Sequence, residues 1–469
     1  MRLRVMERLA RSIKGEPYGN AAMAGGKIGR RRIGTGDEAA ERQGAATKGR
    51  HVTAREEVVS KRRGWRGLPR NVWILGITSF FTDISSEMLI NLLPLFLANV
   101  LGAGTAAIGL IEGLAESTAS LLKVVSGWLS DRLGRRKWLA VAGYGLSAAV
   151  KPILYLCTSW SSVLGVRVAD RVGKGIRTAP RDALIADSIG EDQRGLSFGL
   201  HRAMDTAGAF CGLLVATGVV WAMQAGGGVL ERSTFQTVVL FSIVPAVVAV
   251  LVLGFGAREV PMRGEAAVAP SLTFKGFDAR FRAFLLILAL FTLGNSSDAF
   301  LILRAQERGL SVLTVMAALL TLNLVYMLVS GPAGMLSDRI GRRRVIVCGW
   351  LLYGLVYLGF ALAGAGWQVW MLYALYGVYY GVTEGVARAL VADIVRPDQR
   401  GTAYGLFNGV VGVTALPASV LAGLLWRGLG TWRGFGASAP FLFGALLALL
   451  AAALMAGWLP RLAGESATG

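Results

Sequence analysis

Apolar residues gather into twelve runs along the chain, at roughly 71–99, 105–130, 136–158, 160–187, 196–222, 235–257, 283–304, 311–335, 343–364, 367–393, 402–427 and 439–459. Each is long enough to cross about 30 Å of hydrocarbon as an α-helix. A polar stretch, 258–282, separates six runs from six. The pattern therefore predicts an all-α polytopic membrane protein with twelve transmembrane helices in two halves, 70–257 and 283–460. Residues 1–69 and 461–469 are left as tails, with 258–282 as the central linker.

The connections alternate in character. One set is charged and basic, at 131–137 (DRLGRRK), 188–195, 258–282, 338–344 (DRIGRRR) and 394–401. The other set is short or Gly-rich, at 100–104, 223–234 and 364–367. Lys and Arg collect on the cytoplasmic side of membrane proteins, so both termini are expected there, in an inner (plasma) membrane of bacterial type.

The fourth run is the exception to simple apolar reading. VRVADRVGKGIRTAPRDALIA (166–186) carries Arg167, Asp170, Arg171, Lys174, Arg177, Arg181 and Asp182. An internal repeat decides what it is. GWLSDRLGRR (127–136) returns as GMLSDRIGRR (334–343), and ALIADSIGEDQRGLSFGL (183–200) as ALVADIVRPDQRGTAYGL (389–406). SSE (85–87) has a weaker echo in SSD (296–298). At the same offset 166–186 corresponds to 372–392, LYALYGVYYGVTEGVARALVA, which reads as apolar enough to span. The charged run is then a span as well. At 100° per residue its seven charges fall within a 140° arc, a stripe suited to an aqueous cavity inside the bundle.

Composition agrees with a membrane protein: 469 residues, 54% hydrophobic and only 17% charged. The net charge of +20 suggests nucleic acid, but its distribution excludes that partner. Residues 1–70 hold 18 Lys/Arg against 7 Asp/Glu and lack an apolar signal segment, so they read as a basic disordered tail or as the product of an early start codon. Three cysteines in apolar runs and two histidines leave neither a disulfide framework nor a metal site to expect. No phosphate loop or nucleophile–His pair suggests an enzyme, and no cofactor is expected beyond a proton gradient as energy source.

The doubled G-x-x-S-D-R-x-G-R-R, after the second helix of each half, strongly resembles the signature loop of the major facilitator superfamily. It comprises Gly127, Asp131, Arg132, Gly134, Arg135 and Arg136, and again Gly334, Asp338, Arg339, Gly341, Arg342 and Arg343. The resemblance, spanning Asn71 to Pro460, implies the major facilitator fold and a loop that latches the cytoplasmic side. It also implies charge relays of Asp131, Arg135 and Asp187, and of Asp338, Arg342 and Asp393. Gly127 and Gly334 are read as sites of close helix approach. The fourth helix matches the family's R-x-x-Q-G-x-x-x-A pattern at Arg171, Gly175 and Ala179, with Lys174 in place of Gln. The fifth matches the antiporter pattern in part, at Gly199, Gly208 and Gly212, with Leu213 for Pro and Ala216–Thr217 for the Gly pair.

Candidate chemistry lies on the helices that line the family's central cavity. Asp83, Glu87 and Asn91 share a face of the first helix, near mid-span, where carboxylates titrate or bind cations. They are expected to face Arg171 and Lys174, beside Arg167, Asp170 and Arg177. On the tenth helix Tyr373, Tyr376, Tyr380, Glu384 and Arg388 share an arc, and Asn295 and Asp298 follow from the seventh. Static ion pairing is the alternative, since the first six spans hold seven acids and eight bases. The expected protein is a secondary transporter, working as a monomer in the lipid bilayer by alternating access. Its small-molecule substrate is a polar or amphiphilic organic solute, with an anion as one option. Proton coupling and export are the expected mode. A non-transporting sensor or enzyme subunit on the same fold is the alternative.

Overall fold

The computed structural model describes residues 67–189, 194–224, 227–260, 276–396 and 400–457. The expected basic tail up to 66, the linker residues 261–275 and the tail from 458 lie outside the described residues. Among the described residues, twelve helices make the fold. They are α1 (Arg70–Val100), α2 (Thr105–Leu133), α3 (Arg136–Leu156), α4 (Trp160–Asp187), α5 (Arg194–Gln224) and α6 (Arg232–Gly256), then α7 (Ala279–Glu307), α8 (Val312–Ile340), α9 (Arg342–Leu362), α10 (Gly366–Ile394), α11 (Arg400–Arg427) and α12 (Ala439–Gly457).

Local chemistry sets several boundaries. The Ser159 hydroxyl accepts from the Ser162 N–H and opens α4. Ser311 does the same for α8 through Thr314. Gly134 (φ 63°) and Gly341 (φ 94°) end α2 and α8 in a backbone region that only glycine enters freely. These are the glycines the repeated loop requires. Gly127 and Gly334 do not serve the close approach expected of them. A Cβ on Gly127 would meet only the Ala179 Cβ at 3.4 Å, and one on Gly334 would meet nothing within 4 Å.

The packing follows the repeat. α1 packs on α5 and α6 as α7 packs on α11 and α12, and α4 packs on α2 and α3 as α10 packs on α8 and α9. The most extensive contacts between the halves are α2 with α11 and α5 with α8, and the Ala299–Glu307 piece of α7 also touches α1 and α2. The first is a backbone-to-backbone seam. Thr105 Oγ1 donates to the Gly423 carbonyl (2.9 Å) and Ser117 Oγ to the Gly412 carbonyl. Gly109, Gly113 and Gly423 sit where any Cβ would press on the opposing main chain. The seam runs from the face of the short hairpins to mid-helix. At that same face Gln306 reaches the Gly228 carbonyl at 3.5 Å.

Nine of the twelve helices are long and apolar enough to cross a membrane, among the described residues. The other three are α2, α4 and α10, all of 28 or 29 residues, so they fall short on hydropathy or charge. For α4 this was expected. For α10 it corrects the reading of 372–392 as amply apolar: its tyrosines and its charged end lower the hydropathy. Two helices are interrupted. α1 turns at Asn91–Leu92 and closes with a π-helical turn at Phe96–Val100. α7 is read as one run in sequence but consists of Ala279–Gly294 and Ala299–Glu307, separated at Asn295–Asp298.

Candidate functional site

α4 is fixed by glycine before its charges act. A Cβ on Gly173 would lie 2.6 Å from the Gly143 carbonyl oxygen on α3, and one on Gly175 2.5 Å from the Leu122 Cβ on α2. Held this close, its cations find partners on the neighbours. Arg167 makes a bidentate bond to Glu112 of α2 (2.9 and 3.3 Å) and lies 3.8 Å from Asp170. Arg171 lies 3.2 Å from Asp170. Arg177 donates to Ser147 (2.8 Å) and stacks on the Tyr144 ring, both on α3. Arg181 pairs with Asp182 at 2.9 Å.

Three cavities, of about 640, 710 and 610 Å³, lie between the halves and share Arg202, Tyr326 and Glu384 in their walls. The first is lined from the N-terminal half by residues that include Asp83, Glu87, Glu116, Lys123, Lys174, Arg177 and Arg181. The second reaches Asp338 and Arg342, at the face of the Arg-rich loops. The third lies against the α7 break and takes in Arg167, Arg171, Asn91, Asp298, Tyr373 and Tyr380. Six of the seven α4 charges therefore border the inter-half space. Asp170 instead borders a small void shared with Lys151, whose ammonium donates to Ser85 and Ser86 of α1.

The expected pairing of Asp83 and Glu87 with Arg171 and Lys174 is not formed. Among the described residues neither carboxylate has a cation within 4 Å. Glu87 accepts from the Asn91 amide at 3.1 Å. The α4 arginines turn to Glu112 and Asp170, which lie nearer on their own side of the bundle.

On the C-terminal wall, Tyr376 and Tyr380 each donate to Asp298 at 2.9 Å. Tyr353 of α9 donates to the Gly294 carbonyl (3.1 Å) and to Asn295 (3.2 Å), which occupies part of what the α7 break frees. Tyr373 is fully buried, and among the described residues its hydroxyl has no hydrogen-bond partner. Glu384 accepts from Tyr326 (2.7 Å) and from Arg202 of α5 (3.1 Å), with Arg388 at 3.7 Å. Arg202 thus ties one half to the other. Sequence reasoning passed over Arg202, Tyr326, Glu112 and Glu116 as site residues. A charge within an apolar run was the available signal for three of them, and Tyr326 offered none.

The Arg-rich loops form unequal ion pairs. In the second half Arg342 lies between Asp393 (2.8 Å) and Asp338 (3.5 Å). In the first half Asp187 pairs with Arg136 rather than with the expected Arg135, which is exposed. Arg136 opens α3, whereas Arg135 sits in the turn with φ −125°. The Asp131 side chain lies outside the described residues. Arg132 lies over Trp128, and Arg339 is exposed, with Arg343 half-buried.

Comparison with known proteins follows the same two-half division. The profile of the Major Facilitator Superfamily matches residues 75–322 and 283–468. An uncharacterized MFS-type transporter of Methanocaldococcus jannaschii is 37% identical over 396 residues, covering 83% of this chain and 95% of its own length. The multi-drug resistance efflux pump PmrA of Streptococcus pneumoniae is 23% identical over 377 residues, covering 76% and 90%. A bacterial homolog of the human lysosomal transporter Spinster, solved in an inward-facing and unoccupied conformation, superposes with a TM-score of 0.65 at 16% identity, over 84% of this chain and 98% of that one. With two homologous six-helix halves, a cavity between them and a family match along the length of both, the chain belongs to the Major Facilitator Superfamily of multi-pass membrane transporters.

Proposed function

We propose that this protein moves a small polar or amphiphilic organic solute across the plasma (inner) membrane by alternating access, coupled to protons and in the direction of export. It acts as a monomer with its termini and Arg-rich loops in the cytoplasm. The observation that carries the reading is the cavity between the halves, walled by α1 and α4 on one side and α8 and α10 on the other, with Asp83 and Glu87 facing it and, among the described residues, no cation within 4 Å of either. A carboxylate at mid-span without an ionic partner is suited to exchanging a proton when the cavity changes its exposure. The contacts at the hairpin face and the cavity reaching Asp338 and Arg342 describe one of the two states such a cycle needs, open toward the Arg-rich loops. Export is supported by the partial antiporter pattern of α5, where Gly208 and Gly212 press on the Phe80 and Ile84 carbonyls of α1, and by the efflux activity named for the Streptococcus relative.

The test is flux in proteoliposomes of a solute found by thermal stabilisation of the purified chain. Glu87→Gln and Asp83→Asn should keep solute exchange and lose accumulation driven by a pH gradient. Undiminished accumulation in both variants overturns proton coupling through α1. A stabilising solute that never crosses the bilayer favours a non-transporting sensor instead.

A further inference from the structure

His201 of α5 is the one imidazole among the described residues. It is 5% exposed and borders the outer cavity, the one that reaches Asp338 and Arg342. Its Nδ1 lies 3.7 Å from Oδ2 of Asp205, one turn further along α5. That is too long for a hydrogen bond and short enough for an ion pair. Among the described residues His201 Nε2 has no hydrogen-bond partner, and neither has Asp205 Oδ1. Which nitrogen of an imidazole carries the proton is set by the hydrogen bond the other one makes, and here nothing sets it.

The charges around this pair single it out. The outer cavity presents four carboxylates: Asp182 of α4, Asp205 of α5, Asp338 of α8 and Glu384 of α10. Asp182 holds Arg181 at 2.9 Å, Asp338 has Arg342 at 3.5 Å, and Glu384 has Arg202 at 3.1 Å and Arg388 at 3.7 Å. Those four arginines are the cations of that wall, so Asp205 is left with His201 alone. Asp205 also lines the mid-span cavity together with Asp83. α1 and α5 run parallel, with Gly76 against Met204, Gly208 against Phe80 and Gly212 against Ile84. At about 1.5 Å per residue, Asp205 therefore sits about 9 Å nearer the Arg-rich loops than Asp83, and His201 about 6 Å nearer again. The three groups descend from mid-span to the outer cavity.

We propose that α5 is the proton path between mid-span and the side of the Arg-rich loops, with Asp205 and His201 carrying the proton that Asp83 exchanges. A protonated Asp83 passes its proton through the solvent of the shared cavity to the Asp205 carboxylate. The Asp205 acid gives it to the neutral imidazole, leaving a carboxylate beside an imidazolium. The imidazolium then releases a proton to the outer cavity. Each step moves one proton and no electrons, and the relay ends in the form in which it began. A closed hydrogen-bond network would hold such groups in one protonation state, whereas the unpartnered atoms leave both free to take a proton and pass it on. This rests on the proton-coupled reading above and names the groups through which that coupling reaches the cytoplasm.

The chain has only two histidines, His51 and His201, so isotope labelling of histidine in the full chain gives two ring signals by nuclear magnetic resonance, and His201→Gln assigns them. The His201 ring should titrate between about pH 5 and 8, and Asp205→Asn should move its midpoint by about one unit. A ring that does not titrate, or that titrates indifferently to Asp205, overturns the relay. Its speed is read by infrared spectroscopy after a pH jump, on the carboxylic acid band that Asp83→Asn removes. His201→Gln should slow deprotonation of Asp83 by at least about tenfold without changing its extent. Asp205→Asn carries the same expectation should His201→Gln fold poorly. Free imidazole should restore the rate in His201→Ala. An unchanged rate in either folded variant overturns the relay and leaves proton coupling at Asp83 standing. Slowing that imidazole does not relieve is a structural loss and overturns the relay as well. An Asp83 band absent at every pH overturns the coupling reading itself, and the relay with it.

Discussion

Placing alanine at position 109 asks whether the α2–α11 seam is a joint that parts or one that holds. The new Cβ would stand 2.2 Å from the Ser419 carbonyl oxygen and 2.9 Å from its carbon. Both belong to the α11 main chain, so neither can rotate away. To restore the 3.4 Å at which ordinary contact begins, the two helices must separate by about 1.2 Å. In a joint that holds, overpacking of this kind costs about 1–3 kcal/mol of stability. In a joint that parts, the cost falls on the closed arrangement alone and shifts the balance toward the open one by about 5- to 150-fold. Spin labels at Val229 and Leu429, exposed residues of the hairpin face in opposite halves, report the difference as a distance distribution. Gly109→Ala should populate longer distances with little loss of thermal stability. Gly423→Ala, whose Cβ would meet the Thr105 carbonyl oxygen at 2.4 Å, should do the same. Gly145→Ala, with nothing within 4 Å, should do neither. An unchanged distribution with a lowered melting temperature in both seam variants refutes the parting seam.

Three further outcomes follow from the ion pairs. Arg167→Met leaves Glu112 without its cation in the bundle and should destabilise the protein by about 3–5 kcal/mol; adding Glu112→Gln should recover most of that loss in thermal denaturation, and a double variant as unstable as the single one contradicts the pairing. Arg202→Ala cuts the tie between the halves, but the Arg202 side chain is 55% exposed, so the balance of states should move by no more than about 1 kcal/mol, or fivefold; a larger shift in the same distance measurement would mean that Arg202 does more than pair with Glu384. Arg136→Ala should alter thiol accessibility at the Arg-rich face more than Arg135→Ala does, because Arg136 holds Asp187; the opposite order contradicts the structure.

The helices were legible because hydrocarbon thickness writes itself into run length. Even the charged α4 was bounded at 160–187, since the repeat supplied a less charged counterpart in α10. The α7 break was not legible: Asn295–Asp298 adds only one charge to a long apolar run, and the interruption is held by Tyr353, 59 residues from Gly294 in sequence. Charge position along a helix gave the stripe on α4, yet it could not give partners. Whether Arg171 turns to Glu87 or to Asp170 depends on helix rotation set by Gly173 and Gly175 against α3 and α2. The same holds for Arg136 over Arg135, where one residue of register at a helix start decides which guanidinium meets Asp187. Arg202 and Tyr326 acquire meaning only once α5 and α8 cross between the halves.

Beyond the break, α7 contains Arg304, which is fully buried. Its guanidinium donates to the Phe360 and Ala361 carbonyls at the end of α9, each at 2.9 Å, and to Ser438 at the start of α12, at 3.2 Å. An interrupted helix beside a cavity invites the picture of a loose flap. Arg304 opposes that picture for this end, since freeing it would leave the guanidinium only Glu307 of its own piece and would strand two helix-terminal carbonyls. The outer piece of α7 is riveted to its neighbours, and the break is a fixed window in the wall of the C-terminal half rather than a door.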